Sequence, residues 1–168
     1  MSETSDTPSR PATGPRERAV PRGIAQMGLW ADDVPAAAEW YTRVFGIGPY
    51  FVRPLEGAPL YVEFRIGDRG DELGITDRSF ASAGAPRAPG GAVTSWHVDD
   101  IEAAFERLLS LGAEEYQPVT PRGEGFVTAS VVDPFGNVLG LIHSPHYLAV
   151  LSEREGGGSA SAPRQAGV

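Results

Sequence analysis

Between its two ends the chain resembles itself, and no other feature restricts its fold as strongly. Trp30-Ala31-Asp32-Asp33-Val34-Pro35-Ala36-Ala37 is matched by His97-Val98-Asp99-Asp100-Ile101-Glu102-Ala103-Ala104. The first copy continues through Trp40-Tyr41-Thr42-Arg43-Val44-Phe45-Gly46, the second through Phe105-Glu106-Arg107-Leu108-Leu109-Ser110-Leu111-Gly112. Both read as strand, aspartate, helix, glycine. Asp33 and Asp100 suit a helix N-cap, Pro35 is tolerated in a first turn, and Gly46 and Gly112 suit a left-handed stop. The spacing predicts helices over 34–45 and 101–111. Val34, Ala37, Ala38, Tyr41, Val44 and Phe45 form one apolar stripe; Ile101, Ala104, Phe105, Leu108 and Leu109 form the other.

After each helix come short β-type runs. The first half has Tyr50–Arg53, Leu60–Arg65 and Glu72–Thr76; the second has Glu115–Gln117, Phe126–Val132 and Asn137–His143. Each half is therefore βαβββ. One helix leaves one face of a four-stranded sheet bare, so an α+β fold of two tandem units forming a curved mixed sheet around a cleft is expected. A single domain over 23–148 follows, with a first unit at 23–77, an irregular Pro/Gly/Ala linker at 78–92 and a second unit at 93–148. Residues 1–22, rich in Pro, Ser, Thr and charge, read as a disordered tail, and 152–168 as a flexible Gly/Ser tail.

Composition narrows the chemistry. A formal charge of −8 argues against nucleic acid and anionic membranes, which call for clustered cations, and leaves a small molecule as the expected partner. The absence of cysteine removes disulfides, thiolate nucleophiles and Cys-bound zinc. No apolar run approaches the roughly 20 residues needed to span a bilayer, and the first 22 residues lack a secretory apolar segment, so a cytoplasmic protein is expected.

The doubled unit, the paired aspartates before an Ala-rich helix, Trp40-Tyr41-Thr42-Arg43-Val44-Phe45-Gly46 and Asp133-Pro134-Phe135-Gly136-Asn137-Val138-Leu139-Gly140-Leu141-Ile142 together resemble the vicinal oxygen chelate superfamily. Its members include glyoxalase I, bleomycin-resistance proteins, extradiol dioxygenases and methylmalonyl-CoA epimerase. The resemblance covers about residues 24–147 and speaks for fold more than for function. It implies a cleft that, in metal-using members, holds a divalent ion on His or Gln of the first strand, His of the second half's first strand, and Glu of the last strand, often with a further first-half Glu. Carried across by register, those positions fall on Gln26, Val93 and Gly140, with the first-half carboxylate position on Gly74 and Glu72 one alternation away. Valine and glycine offer no donor atoms, and a lone amide is a weak ligand. No metal and no cofactor are expected. Gly140 then leaves room in place of charge, or marks close approach of another backbone.

Strand alternation assigns the cleft wall to Gln26, Gly28 and Trp30; to Val93, Ser95 and His97; to Val138, Gly140 and Ile142; and to Glu72, Gly74 and Thr76. An apolar, roomy wall with one indole and a few polar groups suits a flat or aromatic ligand. His97 and Glu72 are the candidate proton carriers, although His97 also stands where it would merely bond Asp99 or solvent. Trp40 and Trp96 read as core. His143 and His146 flank Pro145 in a Pro-broken loop and read as surface, and Asp133 reads as the first residue of a type I turn bonding backbone amides.

Three functions follow. The first is a metal-free member, similar to bleomycin-resistance proteins, that binds a small hydrophobic or aromatic metabolite for resistance or sequestration. The second is a cofactor-independent isomerase, epimerase or cyclase of metabolite biosynthesis. The third is a metal-dependent glyoxalase-type lyase or dioxygenase with displaced ligands. The resemblance further implies a homodimer.

Overall fold

The computed structural model describes residues 24–157; the predicted tail 1–22 and the part of the predicted tail beyond 157 lie outside the described residues. Strand β1 (Gln26–Ala31) leads into helix α1 (Val34–Phe45), followed by β2 (Phe51–Arg53), β3 (Tyr61–Ile66) and β4 (Asp71–Asp77). The second half repeats the order with β5 (Thr94–His97), α2 (Ile101–Ser110), β6 (Glu114–Gly123), β7 (Phe126–Val132) and β8 (Val138–His143), and then adds α3 (Pro145–Gly157). The class is α+β, two βαβββ units in tandem.

Local chemistry starts both helices as the residues dictate. Asp33 is extended and its carboxylate accepts from the Ala36 N–H at 2.9 Å; Asp100 does the same for Ala103 at 3.0 Å. Gly46 ends α1 at φ 73°, a left-handed position where a Cβ would be strained. The second helix ends at Ser110, one residue short of expectation, and Gly112 at φ 97° makes its left-handed stop, with its N–H on the Leu109 carbonyl at 3.0 Å and that of Ala113 on the Leu108 carbonyl at 3.1 Å.

The strands form two four-stranded sheets, ordered β1-β4-β3-β2 and β5-β8-β7-β6. In each, the first strand pairs in parallel with the last, and the remaining pairs are antiparallel. The sheets share no hydrogen-bonded strand pair, so β1 and β5 are both edge strands and one chain does not close the curved sheet into a ring. What joins the halves is a common core. Tyr41, Phe64, Leu73 and Ile75 from the first half pack in one cluster with Val131, Leu139 and Leu141 from the second, and all are essentially buried. Withdrawing a ring such as Phe64 from water stabilises the fold by about 2 kcal/mol.

Three elements depart from the sequence-based boundaries. Strand β6 runs to Gly123 through Pro118 and Pro121, which an outermost strand tolerates because a proline there can turn its missing N–H away from the ladder. The linker opens with a 3-10 turn at Arg78–Phe80, whose Ser79 N–H is met by the Asp77 carboxylate at 2.8 Å. The expected Pro-broken loop around Pro145 is instead the start of α3, which also takes up residues 152–157 of the expected tail. Ser144 accepts from the Tyr147 N–H at 3.1 Å, and proline in a first helical turn costs no hydrogen bond.

Candidate functional site

The residues expected to line one cleft are divided between the outer faces of the two sheets, opposite the shared core. Met27, Leu29 and Ala31 pack into the core from β1, so Gln26, Gly28 and Trp30 lie on the other face; Gly28 pairs with Gly74 and Trp30 with Thr76. Trp96 and Leu141 likewise face inward, leaving Ser95, His97, Val138, Gly140 and Ile142 on the outer face of the second sheet. Val93 lies just before β5 and is exposed.

The first face carries a polar network that sequence reading did not assemble. The Gln26 amide donates to the Tyr61 hydroxyl at 2.9 Å and to the Glu63 carboxylate, and Tyr61 in turn donates to Glu63. The Tyr50 hydroxyl stands 2.8 Å from Glu63 and 2.9 Å from Glu72. One phenol has one proton, so two carboxylates compete for it. Arg65 supplies positive charge, 3.4 Å from Glu72 and with its guanidinium 4.1 Å from the centre of the Tyr50 ring. Burial and the bonds to Glu63 push the Tyr50 and Tyr61 phenols up to about 12, and the Tyr61 hydroxyl holds Glu63 below the usual carboxylate range. Tyr61, Glu63 and Arg65 alternate on one strand, so the period of two along β3 is the sequence signal that places all three on the face with Gln26.

Glycine shapes both faces by what it admits. A Cβ on Gly74 would lie 2.9 Å from the Tyr61 hydroxyl and 3.3 Å from the Gln26 side chain, so the network closes only over a glycine. A Cβ on Gly140 would come within 2.5 Å of the Ser95 hydroxyl and 3.0 Å of both the Ser95 Cα and the Thr94 carbonyl. The space beside Gly140 is therefore filled by Ser95 and its backbone, the close approach that a glycine in a strand signals.

The family's metal positions fail a donor test. Gly74, Val93 and Gly140 present no ligating atom, which leaves the neutral Gln26 amide oxygen, a weak ligand without charged companions, as the one donor of the set. Among the described residues no group of three or more His, Asp or Glu converges in ion-binding geometry. The residues present do not fit the ion that metal-using relatives hold.

On the second sheet, His97 is nearly buried. Its Nδ1 accepts from the Ser144 N–H at 3.1 Å, which places the proton of the neutral ring on Nε2. That Nε2 makes only a long 3.5 Å approach to Asp99, and Tyr147 stacks on the ring at 4.6 Å. His97 and Glu72, the two candidate proton carriers, sit on different sheets in different networks. His143 approaches the Val98 carbonyl at 3.2 Å, while His146 is exposed on α3. Trp40 is buried and donates to the Leu111 carbonyl at 2.8 Å. Asp133 accepts the amides of Phe135 and Asn137 at 2.9 and 2.7 Å, as its turn position requires.

Two tandem βαβββ units with paired outer faces define a duplicated-module α+β protein. Residues 23–141 match the model of the Glyoxalase/Bleomycin resistance protein/Dioxygenase superfamily, and the chain belongs to that superfamily. Solved structures agree on the fold. A glyoxalase-related enzyme from Fulvimarina pelagi is 21% identical, with a TM-score of 0.59 over 74% of this chain and 89% of that one. A lactoylglutathione lyase from Agrobacterium tumefaciens is 25% identical, with a TM-score of 0.55 over 74% and 95%. TioX from Micromonospora sp. ML1 is 20% identical, with a TM-score of 0.56 over 72% and 98%. No curated protein matches the chain. Among the described residues no helix is long and apolar enough to cross a membrane.

Proposed function

We propose that this chain is a small-molecule-binding member of its superfamily that works without a divalent ion, gripping a flat or aromatic organic ligand on the outer face of the first sheet. The observation that carries this reading is the state of the metal positions: three lack donor atoms and the fourth, Gln26, offers only a neutral amide oxygen. What the face offers in their place is aromatic surface and acceptors. Tyr50, Phe51 and Tyr61 supply rings, with Phe51 edge-on to Tyr61 at 6.1 Å, and the carboxylates Glu63 and Glu72, which compete for the one Tyr50 proton, favour a ligand carrying N–H or O–H donors. Because β1 and β5 are both free edge strands in one chain, a second copy is the proposed partner, giving a homodimer whose clefts pair a first sheet with a second.

The test is native mass spectrometry and elemental analysis of protein purified without chelators. The expected result is an organic adduct on the dimer, lost in Glu63→Ala and Gln26→Ala, with under about a tenth of an equivalent of any divalent metal. A stoichiometric metal that disappears with Glu63→Ala would overturn the reading. Turnover of the co-purified compound by the parent protein, abolished in Glu72→Gln, would convert the binder into the cofactor-independent enzyme.

A further inference from the structure

The repeat brings the two halves together at two seams, and the seams are built differently. At the first, Tyr41 of α1 donates to Asp133 of the β7–β8 turn at 2.6 Å, Phe135 of that turn stands edge-on to Trp40 at 6.3 Å, and the Asn137 side chain bonds both the N–H and the C=O of Trp30. At the second, the same positions are held by other residues. The repeat that matches Asp33 with Asp100 puts Leu108 where Tyr41 stands and Arg107 where Trp40 stands. The strand registers put Gly67 at the place of Asp133, Arg69 at that of Phe135 and His97 at that of Trp30. The phenol, the carboxylate and the ring that fill the first seam are all missing from the second. A cavity of about 930 Å3 lies there, bounded by the β3–β4 turn, β5, α2 and α3.

Its walls specify an occupant. Phe45, Trp96, Leu108, Leu141 and Leu151 make it largely apolar. Two polar atoms of residues that line it, the Trp96 Nε1 and the His97 Nε2 on opposite faces of the edge strand β5, are buried without a partner among the described residues, and the His97 side chain is only 9% exposed. An indole nitrogen always donates, and the Ser144 contact leaves His97 Nε2 as a donor too, so both lack an acceptor. A buried donor without an acceptor is costly, which favours a ligand bringing one. Four aspartates and two arginines line the cavity (Asp68, Asp71, Asp99 and Asp100 against Arg69 and Arg107), a balance that disfavours an anion. We infer that this second seam is a binding site for an uncharged apolar molecule bearing a carbonyl-type oxygen, distinct from the outer face of the first sheet and independent of the function proposed for it. A volume of this size accommodates a ligand of drug-like dimensions.

Nile red, a neutral dye with a ring carbonyl, is the probe. Saturable uptake of one equivalent per chain with blue-shifted emission is expected for the parent protein. Trp96→Phe, which keeps a ring and removes the donor, should weaken binding about tenfold, the size of one buried hydrogen bond. Leu108→Trp fills the cavity from α2 and should abolish saturable uptake while circular dichroism stays native, and Gln26→Ala on the sheet face should leave affinity unchanged. No saturable uptake by the parent protein, unchanged affinity in Trp96→Phe, or an equal loss in Gln26→Ala would each overturn the assignment.

Discussion

Tyr41 and Asp133, 92 residues apart in the chain, meet in a buried 2.6 Å hydrogen bond that ties the first helix to the last hairpin turn. The carboxylate is fully used: one oxygen takes two backbone amides, the other takes the Tyr41 phenol and the Asn137 side chain at 2.8 Å. Burial first, and the neighbouring Asp133 charge second, push the Tyr41 phenol well above its ordinary value. Tyr41→Phe leaves that oxygen with one partner fewer and should cost about 2 kcal/mol, read from urea unfolding. Asp133→Ala removes the turn's acceptor as well and should cost more.

Asn137 should matter out of proportion to its size. Its side chain bonds Trp30 at 3.2 Å through the N–H and at 3.0 Å through the C=O, replacing the strand that the free edge of β1 lacks. Asn137→Ala is expected to destabilise by about 1–2 kcal/mol and to raise amide hydrogen exchange at Trp30 more than at Leu29.

Gly140→Ala is expected to cost about 1–3 kcal/mol, because two of the three atoms it would strike belong to backbone and cannot rotate away. Ser95→Ala should rescue only part of the loss. Gly140→Glu, which writes the relatives' carboxylate back into the strand, should lower the melting temperature without creating manganese binding; a gain in manganese affinity would contradict the packing described here.

Stability should fall at both ends of the pH range. The raised Tyr50 and Tyr61 phenols keep their protons in the folded chain where the unfolded chain has released them, so stability present below about pH 10 is lost as pH rises towards about 12. Glu63 behaves oppositely: its lowered value, set first by the Tyr61 hydroxyl, contributes stability above the ordinary carboxylate range that is lost as pH falls through the folded value. Ultraviolet titration should show a delayed phenolate rise, advanced in Glu63→Gln, and that variant should also flatten the acid limb of the stability curve.

The fold was legible because its signals are local and occur twice. Asp33 and Asp100 announce helix starts through their own side-chain geometry, and alternation along β1 and β5 sorts inward from outward residues without knowledge of the partner strand. Less of the site was legible. That Glu63 and Tyr61 reach Gln26 depends on the register of β3 against β4, where Glu63 stands opposite Gly74, and register is a long-range property. Arg78 was hidden inside a linker that looked irregular, yet its guanidinium bonds the Phe135 carbonyl at 2.7 Å, approaches that of Trp30 at 3.3 Å and pairs with Asp32. The cap at Ser144 was readable from the Ser-Pro pair that opens α3.

The unequal seams separate two duties that a symmetric duplication would have confounded. With Tyr41, Asp133 and Asn137 holding one junction shut, the polar residues at the rim of the other are released from bearing mechanical weight. Substitutions at exposed rim residues such as Arg69 can then reshape what enters there while the domain itself stays assembled.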